Sequence, residues 1–274
     1  ERGGYPVEQK EMMQWSLRIS SYAQRLLDGL DQVDFTPSLK EQQRNWIGRS
    51  EGLLIDFEIE AQPQIIKVFT TRPDTIYGVS FMTLAPEHHL VQQITTDEYK
   101  TDVLSYLDVV SKKNERERQS NVGNPTGVFT GAYALNPINN EKIPIWISEY
   151  VLYGYGTGAV MAVPAGDQRD YDFAKEFNIE IKNIFKGVFL ESNAYVEKDV
   201  EYINSPAIEG LNYEDATDVI TTTLIQKKKA TKKVNFRLRD AIFSRQRYWG
   251  EPFPIFYKNS TPYPIKDTQV LLPK

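Results

Sequence analysis

The run GTGAVMAVPAGDQRDYDFAKEF, residues 156 to 177, most constrains how this chain can fold. Its small and apolar stretch from Gly158 to Val163 is strand-length and far too short to cross a membrane. Pro164, Ala165 and Gly166 then break the pattern. From Asp167 to Phe177 the chain predicts a helix whose inward stripe is Phe173, Ala174 and Phe177. A strand that hands over so abruptly to an amphipathic helix makes a junction with exposed backbone N–H groups. Asp167 is placed to cap them. Asp170, one turn on, lies over the apolar stripe, where a carboxylate needs a partner or a function. Three candidates stand: the ammonium of a ligand, Arg169, or Arg72. Gly156 and Gly158 would let a ligand approach the backbone closely.

Elsewhere the pattern alternates between strand and helix. Leu53, Ile55, Phe57 and Ile59 repeat every second residue, and QIIKVFT, residues 64 to 70, follows a turn containing Pro63, so a hairpin is expected. Further strands are expected at 127–135, 142–147 and 158–163. Helices are expected over 8–30, after Pro37–Ser38, over most of 86–110, and over 211–226 with Ala216, Val219, Ile220 and Leu224 inward. Residues 112–123 read as a solvated loop. Many short strands in varied connection predict an α/β body with a curled mixed sheet or β-barrel and surrounding helices, rather than a doubly wound sheet. The body is bounded at 48–235, with an N-terminal arm over 1–47 and an Arg- and aromatic-rich C-terminal arm over 236–274.

Composition excludes several classes. With no cysteine among 274 residues there is neither a disulfide framework nor a thiolate zinc site. His88 and His89 are adjacent, without metal-ligand spacing, and are expected on the surface at a helix start. The net charge of -5 disfavours a dominant nucleic-acid coat but allows a local basic patch at Lys227–Lys229, Lys232 and Lys233, with Arg237, Arg239, Arg245 and Arg247 beyond it. That lysine run reads equally as a solvated helix end. Trp15, Trp46, Trp146 and Trp249 are expected in core or junction packing. No run is long and apolar enough to span a membrane, and ERGGYPVEQKEMM is not a secretory leader; without an initiator methionine, the chain is expected to be an excised fragment or a processed product. GxxxxGK[ST] and GxGxxG are absent, so no phosphate loop is expected.

The turn Thr70–Thr71–Arg72–Pro73–Asp74–Thr75 has two readings. As local structure, Pro73 opens a helical turn, Thr71 or Arg72 caps it, and Asp74 favours its positive end. As a polar wall, three hydroxyls meet a sugar or ester and Arg72 orients an anion.

Four motifs in order, Asn45–Gly52 (NWIGRSEG), Thr70–Thr75, the 156–177 run, and RLRDAIFSRQRYWGEPFPI over 237–255, resemble leucyl-tRNA synthetase of the bacterial type, and the likeness covers essentially the whole chain. The resemblance implies that the body is the inserted editing domain, which hydrolyses the ester of tRNA(Leu) charged with isoleucine, methionine, norvaline or similar noncognate amino acids. The arms would belong to the synthetic region, whose two nucleotide-handling signatures are missing here. Editing would then need no cofactor, whereas ATP and magnesium serve only the full-length synthetic reaction. A monomer in the cytoplasm, meeting the 3′ end of tRNA(Leu) and no membrane, is the implied setting.

Residue roles follow from the same resemblance. Asp170 matches the aspartate that holds the α-ammonium, and Thr70, Thr71 and Arg72 complete the catalytic set around the ester and terminal ribose. Asp74 belongs to that wall. Thr75 matches the threonine that excludes leucine. Met161 and Val163 line the amino-acid and adenosine cleft, with Tyr155 and Asp167 near it. No general base is assigned, and salt-bridging is expected to depress the Asp170 pKa. Where many members carry histidine, this chain has Gly166, so an imidazole base is impossible there. A non-catalytic module that positions tRNA, with weakened editing, is the alternative. A glycosidase is disfavoured, since Asp167 and Asp170 do not flank a bond as a carboxyl pair.

Overall fold

A computed structural model describes residues 13, 15–113, 117–118, 124–153, 156–242 and 255–265. Two compact units divide the chain: one holds Ser50–Asn235, the other Lys10–Arg49 with Phe236–Lys274.

In the smaller unit, β1 (Ser16–Leu17) pairs antiparallel with β9 (Ala241–Ile242). The helix expected over 8–30 is shorter. Among the described residues of that stretch only α1 (Ala23–Gly29) is α-helical, after a tight turn at Ile19–Tyr22; Met12 lies outside the described residues. Ser20 is the reason: its N–H and hydroxyl both donate to Asp240, 3.1 and 2.6 Å away, which fixes the chain in a non-α entry. The second helix, α2 (Pro37–Ile47), has the expected signals. Thr36 accepts from the Leu39 N–H, Pro37 opens the first turn, and Gly48 closes it at φ +59°. Trp46 is 72% exposed, so it packs in no core of this unit. A hairpin, β10 (Ile255–Lys258) with β11 (Thr261–Pro264), completes the described part. Arg245, Arg247 and Trp249 lie outside it.

The larger unit is built on a mixed sheet. Its strands are β2 (Arg49–Ile59), β3 (Ile65–Thr70), β4 (Phe81–Leu84), β5 (Gly127–Leu135), β6 (Lys142–Ser148), β7 (Ala159–Ala162) and β8 (Ala230–Phe236). Their order is β3-β2-β5-β6-β4-β7, with β8 joined to β2 off that path. The hairpin of β2 and β3 is present, with Leu53 opposite Thr70 and Glu58 opposite Ile65. β4 and β6 run parallel, while β4 and β7 run antiparallel.

This order corrects the expectation of a curled sheet or β-barrel. A barrel closes when its terminal strands share a ladder. Here β3 and β7 end the path unpaired with each other, and the eleven-residue β2 takes β3, β5 and β8 along its length instead, so the sheet branches rather than closing. Period-two alternation locates strands but carries no information about which edges meet.

Two apolar layers cover the sheet. Leu53, Ile55, Phe57 and Ile59 on β2, with Ile66, Val68, Met82 and Leu84, enter the main core. Phe81, Ala162, Phe173 and Ala174 form a second cluster on the other side. β4 contributes to both, which is why all four of its residues are buried. On β5 the register shifts between Phe129 and Tyr133 around Gly131, whose φ is +78°. A Cβ there would lie 2.0 Å from Thr96 Oγ1, so only glycine fits.

Helix α5 (Gln168–Glu176) follows β7 as expected, and α6 (Tyr213–Gln226) buries Ala216, Ile220 and Leu224, with Val219 half-buried. The helix expected over 86–110 is divided into α3 (Val91–Ile94) and α4 (Lys100–Ser111). Thr96 donates its N–H to the Thr130 carbonyl at 2.9 Å, and this tie to β5 replaces a helical bond. His88 is another correction. It is 6% exposed in the turn before α3, its Nδ1 accepts from the Leu90 N–H, and burial with the nearby His89 lowers its pKa to about 4. Lys227 reaches the Ile138 carbonyl and Lys229 pairs with Glu58, so the start of the lysine run fastens the end of α6 to the sheet. No helix among the described residues is long and apolar enough to cross a membrane.

Candidate active site

The end of β3 and the β7–α5 junction face one another across a cavity of about 220 Å³. Thr70, Thr71, Arg72 and Thr75 form one side. Met161, Val163, Gly166, Asp167 and Asp170 form the other. Nine positions separated by up to a hundred residues thus meet at one cleft. Asp74 stands behind the wall rather than in it, and Tyr155 lies outside the described residues.

The wall owes its shape to local hydrogen bonds. Thr70 Oγ1 accepts from the Arg72 N–H at 3.0 Å, which turns the chain as β3 ends. Pro73 opens a tight 3-10 turn, Pro73–Gly78, and the expected cap at Arg72 is not made by its side chain. Thr75 donates its hydroxyl to the Arg72 carbonyl at 2.9 Å, and it is 3% exposed. That bond fixes its side chain against the cavity.

Asp74 is fully buried. Its carboxylate accepts Arg72 Nε on Oδ1 at 3.2 Å and Nη2 on Oδ2 at 2.9 Å, a forked pair, and the Tyr202 hydroxyl on Oδ2 at 2.6 Å. Burial works against the Arg72 charge, but the bond to Asp74 leaves the guanidinium pKa raised. The Arg72 guanidinium also sits 5.2 Å from the Tyr213 ring centre. It is therefore held rigidly at the cavity rim.

Across the cavity, Asp167 caps α5: its carboxylate accepts from the N–H groups of Arg169 at 2.9 Å and Asp170 at 3.4 Å. It also pairs with the Arg169 side chain at 3.3 Å. Asp170 is 4% exposed. One oxygen accepts from the Val163 N–H at 2.8 Å, the other from the Tyr150 hydroxyl at 2.9 Å. Neither Arg169 nor Arg72 makes a hydrogen bond to it, since Asp167 and Asp74 occupy them.

Without a ligand cation the Asp170 pKa is raised, whereas the expected depression belongs to the salt-bridged acid. Burial, reinforced by the negative charge of Asp167, pushes it up to about 7, against the lowering effects of Val163, Tyr150 and Arg169. That depression needs a cation in contact with the carboxylate, and the described residues supply none at hydrogen-bond distance. Near neutral pH this acid is poised between its two forms, and a ligand cation would draw it to the anion.

Tyr150 and Tyr202 are functional neighbours that the sequence reading missed. Each reaches an acid distant along the chain, and no spacing rule links them. Gly166 lines the cavity outside the left-handed region, and a Cβ there would meet Phe185 at an ordinary 3.6 Å. Among the described residues no group of three His, Cys, Asp or Glu is disposed to hold a metal ion. The cavity thus offers a solitary buried carboxylate, threonine hydroxyls, a fixed guanidinium and an apolar floor. That set suits a ligand with a cationic group, a polar ester or sugar, and a small apolar side chain.

Comparison with known proteins agrees with this chemistry. Residues 44–225 match the family model described as leucyl-tRNA synthetase, editing domain. The leucine–tRNA ligase of Flavobacterium johnsoniae is 55% identical over the whole chain, which covers 30% of that protein. The leucine–tRNA ligase of Christiangramia forsetii is 54% identical over 97% of the chain and 28% of its own length. A crystal structure of a LeuRS–tRNA–LeuAMS ternary complex from Agrobacterium radiobacter superposes with a TM-score of 0.78 at 35% identity, covering 99% of this chain and 31% of that one. The chain spans about 30% of the length of the curated relatives it matches. With a family model covering well over half of its residues, the chain belongs to the leucyl-tRNA synthetase editing-domain family and is an aminoacyl-ester hydrolase of the post-transfer editing kind.

Proposed function

We propose that the cleft between the Thr70–Thr75 wall and Asp170 receives the 3′ end of tRNA(Leu) carrying a noncognate amino acid and hydrolyses its ester. The observation that carries this reading is Asp170, a buried carboxylate at the cavity with two neutral donors and no cation bonded to it. The α-ammonium of an aminoacyl ester completes its coordination. Ammonium and carboxylate then form a charge-assisted bond that fixes the ester carbonyl relative to the opposite wall.

The other roles follow from position. Thr70 and Thr71 offer hydroxyls to the ester and terminal ribose, and Arg72, immobilised by Asp74, stabilises negative charge that develops on the carbonyl oxygen. An aminoacyl ester is already activated, so a positioned water is the nucleophile and no covalent intermediate is needed. Thr75, locked by its bond to the Arg72 carbonyl, limits the space for a γ-branched chain; Met161 and Val163 supply the apolar floor. ATP and magnesium belong to the ligation reaction of the longer protein, in which this chain acts as a cytoplasmic editing module.

The test is deacylation of isoleucyl-tRNA(Leu) by this chain beside Asp170→Ala. Loss of turnover in the variant is expected, and equal rates with intact binding would sink the role of Asp170. Thr75→Ala is expected to hydrolyse leucyl-tRNA(Leu); continued rejection of leucine would refute the exclusion account. Gly166 favours a second reading, a tRNA-positioning module with weak editing, and binding without turnover by the unaltered chain would select it.

A further inference from the structure

We propose that Tyr150 is a positioning residue for editing: its hydroxyl, backed by Thr83, holds the Asp170 carboxylate oriented and charged toward the cleft. The inference rests on the ammonium-binding role of Asp170 given above.

The geometry leaves the carboxylate little freedom. Val163, just after β7, donates its backbone N–H to Oδ2 at 2.8 Å. Tyr150, in the segment after β6, donates to Oδ1 at 2.9 Å. Two donors from different segments grip both oxygens and set the plane of the carboxylate. The backbone donor survives any side-chain change at its own position; the phenol is the one adjustable grip.

Thr83 makes the phenol directional. It is fully buried on β4, with its Oγ1 3.1 Å from the Tyr150 oxygen. Because the phenolic proton is committed to Asp170, the threonine hydroxyl is the donor of that second bond. A chain of two hydroxyls therefore ends on the carboxylate, each bond polarising the next. The ring is steadied by Phe173, whose centroid is 5.8 Å away. Burial, with the Asp170 charge added to it, raises the Tyr150 pKa well above the ordinary tyrosine value, so the phenol keeps its proton wherever editing is measured.

The charged groups around Asp170 do not replace this donor. On α5 and its cap, Asp167 opposes the Asp170 charge, Arg169 is paired with Asp167, and Asp172 accepts from Gln168. Across the cavity Arg72 is paired with Asp74. The β7–α5 junction offers the Val163 N–H and β4 the neutral Thr83. Removing the phenolic hydroxyl thus leaves Oδ1 without a donor among the described residues and favours the protonated acid, which cannot bind an ammonium.

The test is Tyr150→Phe, with kcat/KM for isoleucyl-tRNA(Leu) deacylation measured from pH 6 to 9 and expressed as a ratio to the unaltered chain, so that the substrate's own titration cancels. A hydrogen bond to a charged group is worth at least about tenfold in the ionisation equilibrium. The expected deficit is about tenfold at pH 6, shrinking to within about twofold at pH 9. A ratio that is constant with pH, or no deficit at all, would overturn the proposal, because a packing role alone shifts no proton. Should Tyr150→Phe not fold, the isosteric Thr83→Val carries the same test with a smaller deficit of the same pH dependence, and a flat ratio there overturns the proposal equally. Asp170→Ala, assayed alongside, separates this outcome from failure of the editing reading: if it deacylates normally, the role of Asp170 itself is wrong.

Discussion

Replacing Asp170 with asparagine removes a charge the fold holds at a cost, and the size of the effect follows from the site. The side chain keeps its shape, and its amide can still accept from the Val163 N–H while its NH₂ turns toward the Tyr150 oxygen. What disappears is the titration. In the unfolded chain this carboxyl has its ordinary value of 3.8; in the fold it rises to about 7. The folded state therefore binds the proton more tightly, so the stability linked to this group is fully present below pH 3.8 and is lost as pH rises toward 7. A change of about three decades in proton affinity corresponds to about 4 kcal/mol. That is a large share of the 5–15 kcal/mol of roughly typical domain stability. Urea unfolding of both proteins at intervals from pH 4 to 8 isolates it, because the other titrating groups cancel in the difference. Asp170→Asn is expected to equal the parent near pH 4 and to exceed it by about 4 kcal/mol at pH 8, while deacylation is lost. A difference independent of pH would refute the account of Asp170 as a desolvated, cation-free acid.

Asp74→Ala leaves Arg72, largely buried at the cavity rim, without its forked partner, and it should cost about 3 kcal/mol of stability in urea unfolding while lowering kcat for deacylation; unchanged stability would show that the Arg72–Asp74 pair is not what fixes the wall. Gly166→Ala adds a Cβ at ordinary contact distance outside the left-handed region, so a gain of about 0.4–1 kcal/mol in unfolding free energy is expected, and a loss would mean that the cleft backbone needs glycine.

The sequence made several parts of this molecule readable because they are local. Alternation along Leu53, Ile55, Phe57 and Ile59 located β2, and every one of these residues is buried. The same holds for Asp167 as a cap and for Asp170 on the buried face of α5, since helical spacing alone decides both. The missing parts depend on contacts across the chain. Which strands end the sheet, why Thr96 interrupts a helix, and why His88 is buried are set by neighbours thirty or more residues away or by packing from other segments. The raised pKa of Asp170 without ligand is illegible in the sequence for a related reason: the fold gives both nearby arginines to other carboxylates. Tyr150 and Tyr202 carry no signal of their own in the sequence, and only the fold reveals the acids they serve.

The hydrogen bond from Tyr202 to Asp74 spans 128 residues. Asp74 in turn holds Arg72, so one wall of the cleft is tied to a segment made long after the threonine turn has left the ribosome. Closing so large a loop is entropically slow and follows the local structure. The motif that most resembles an active site is therefore synthesised early and becomes one late: until Tyr202 docks, the chain carries every residue of the Thr70–Thr75 turn without the tether that aims its arginine.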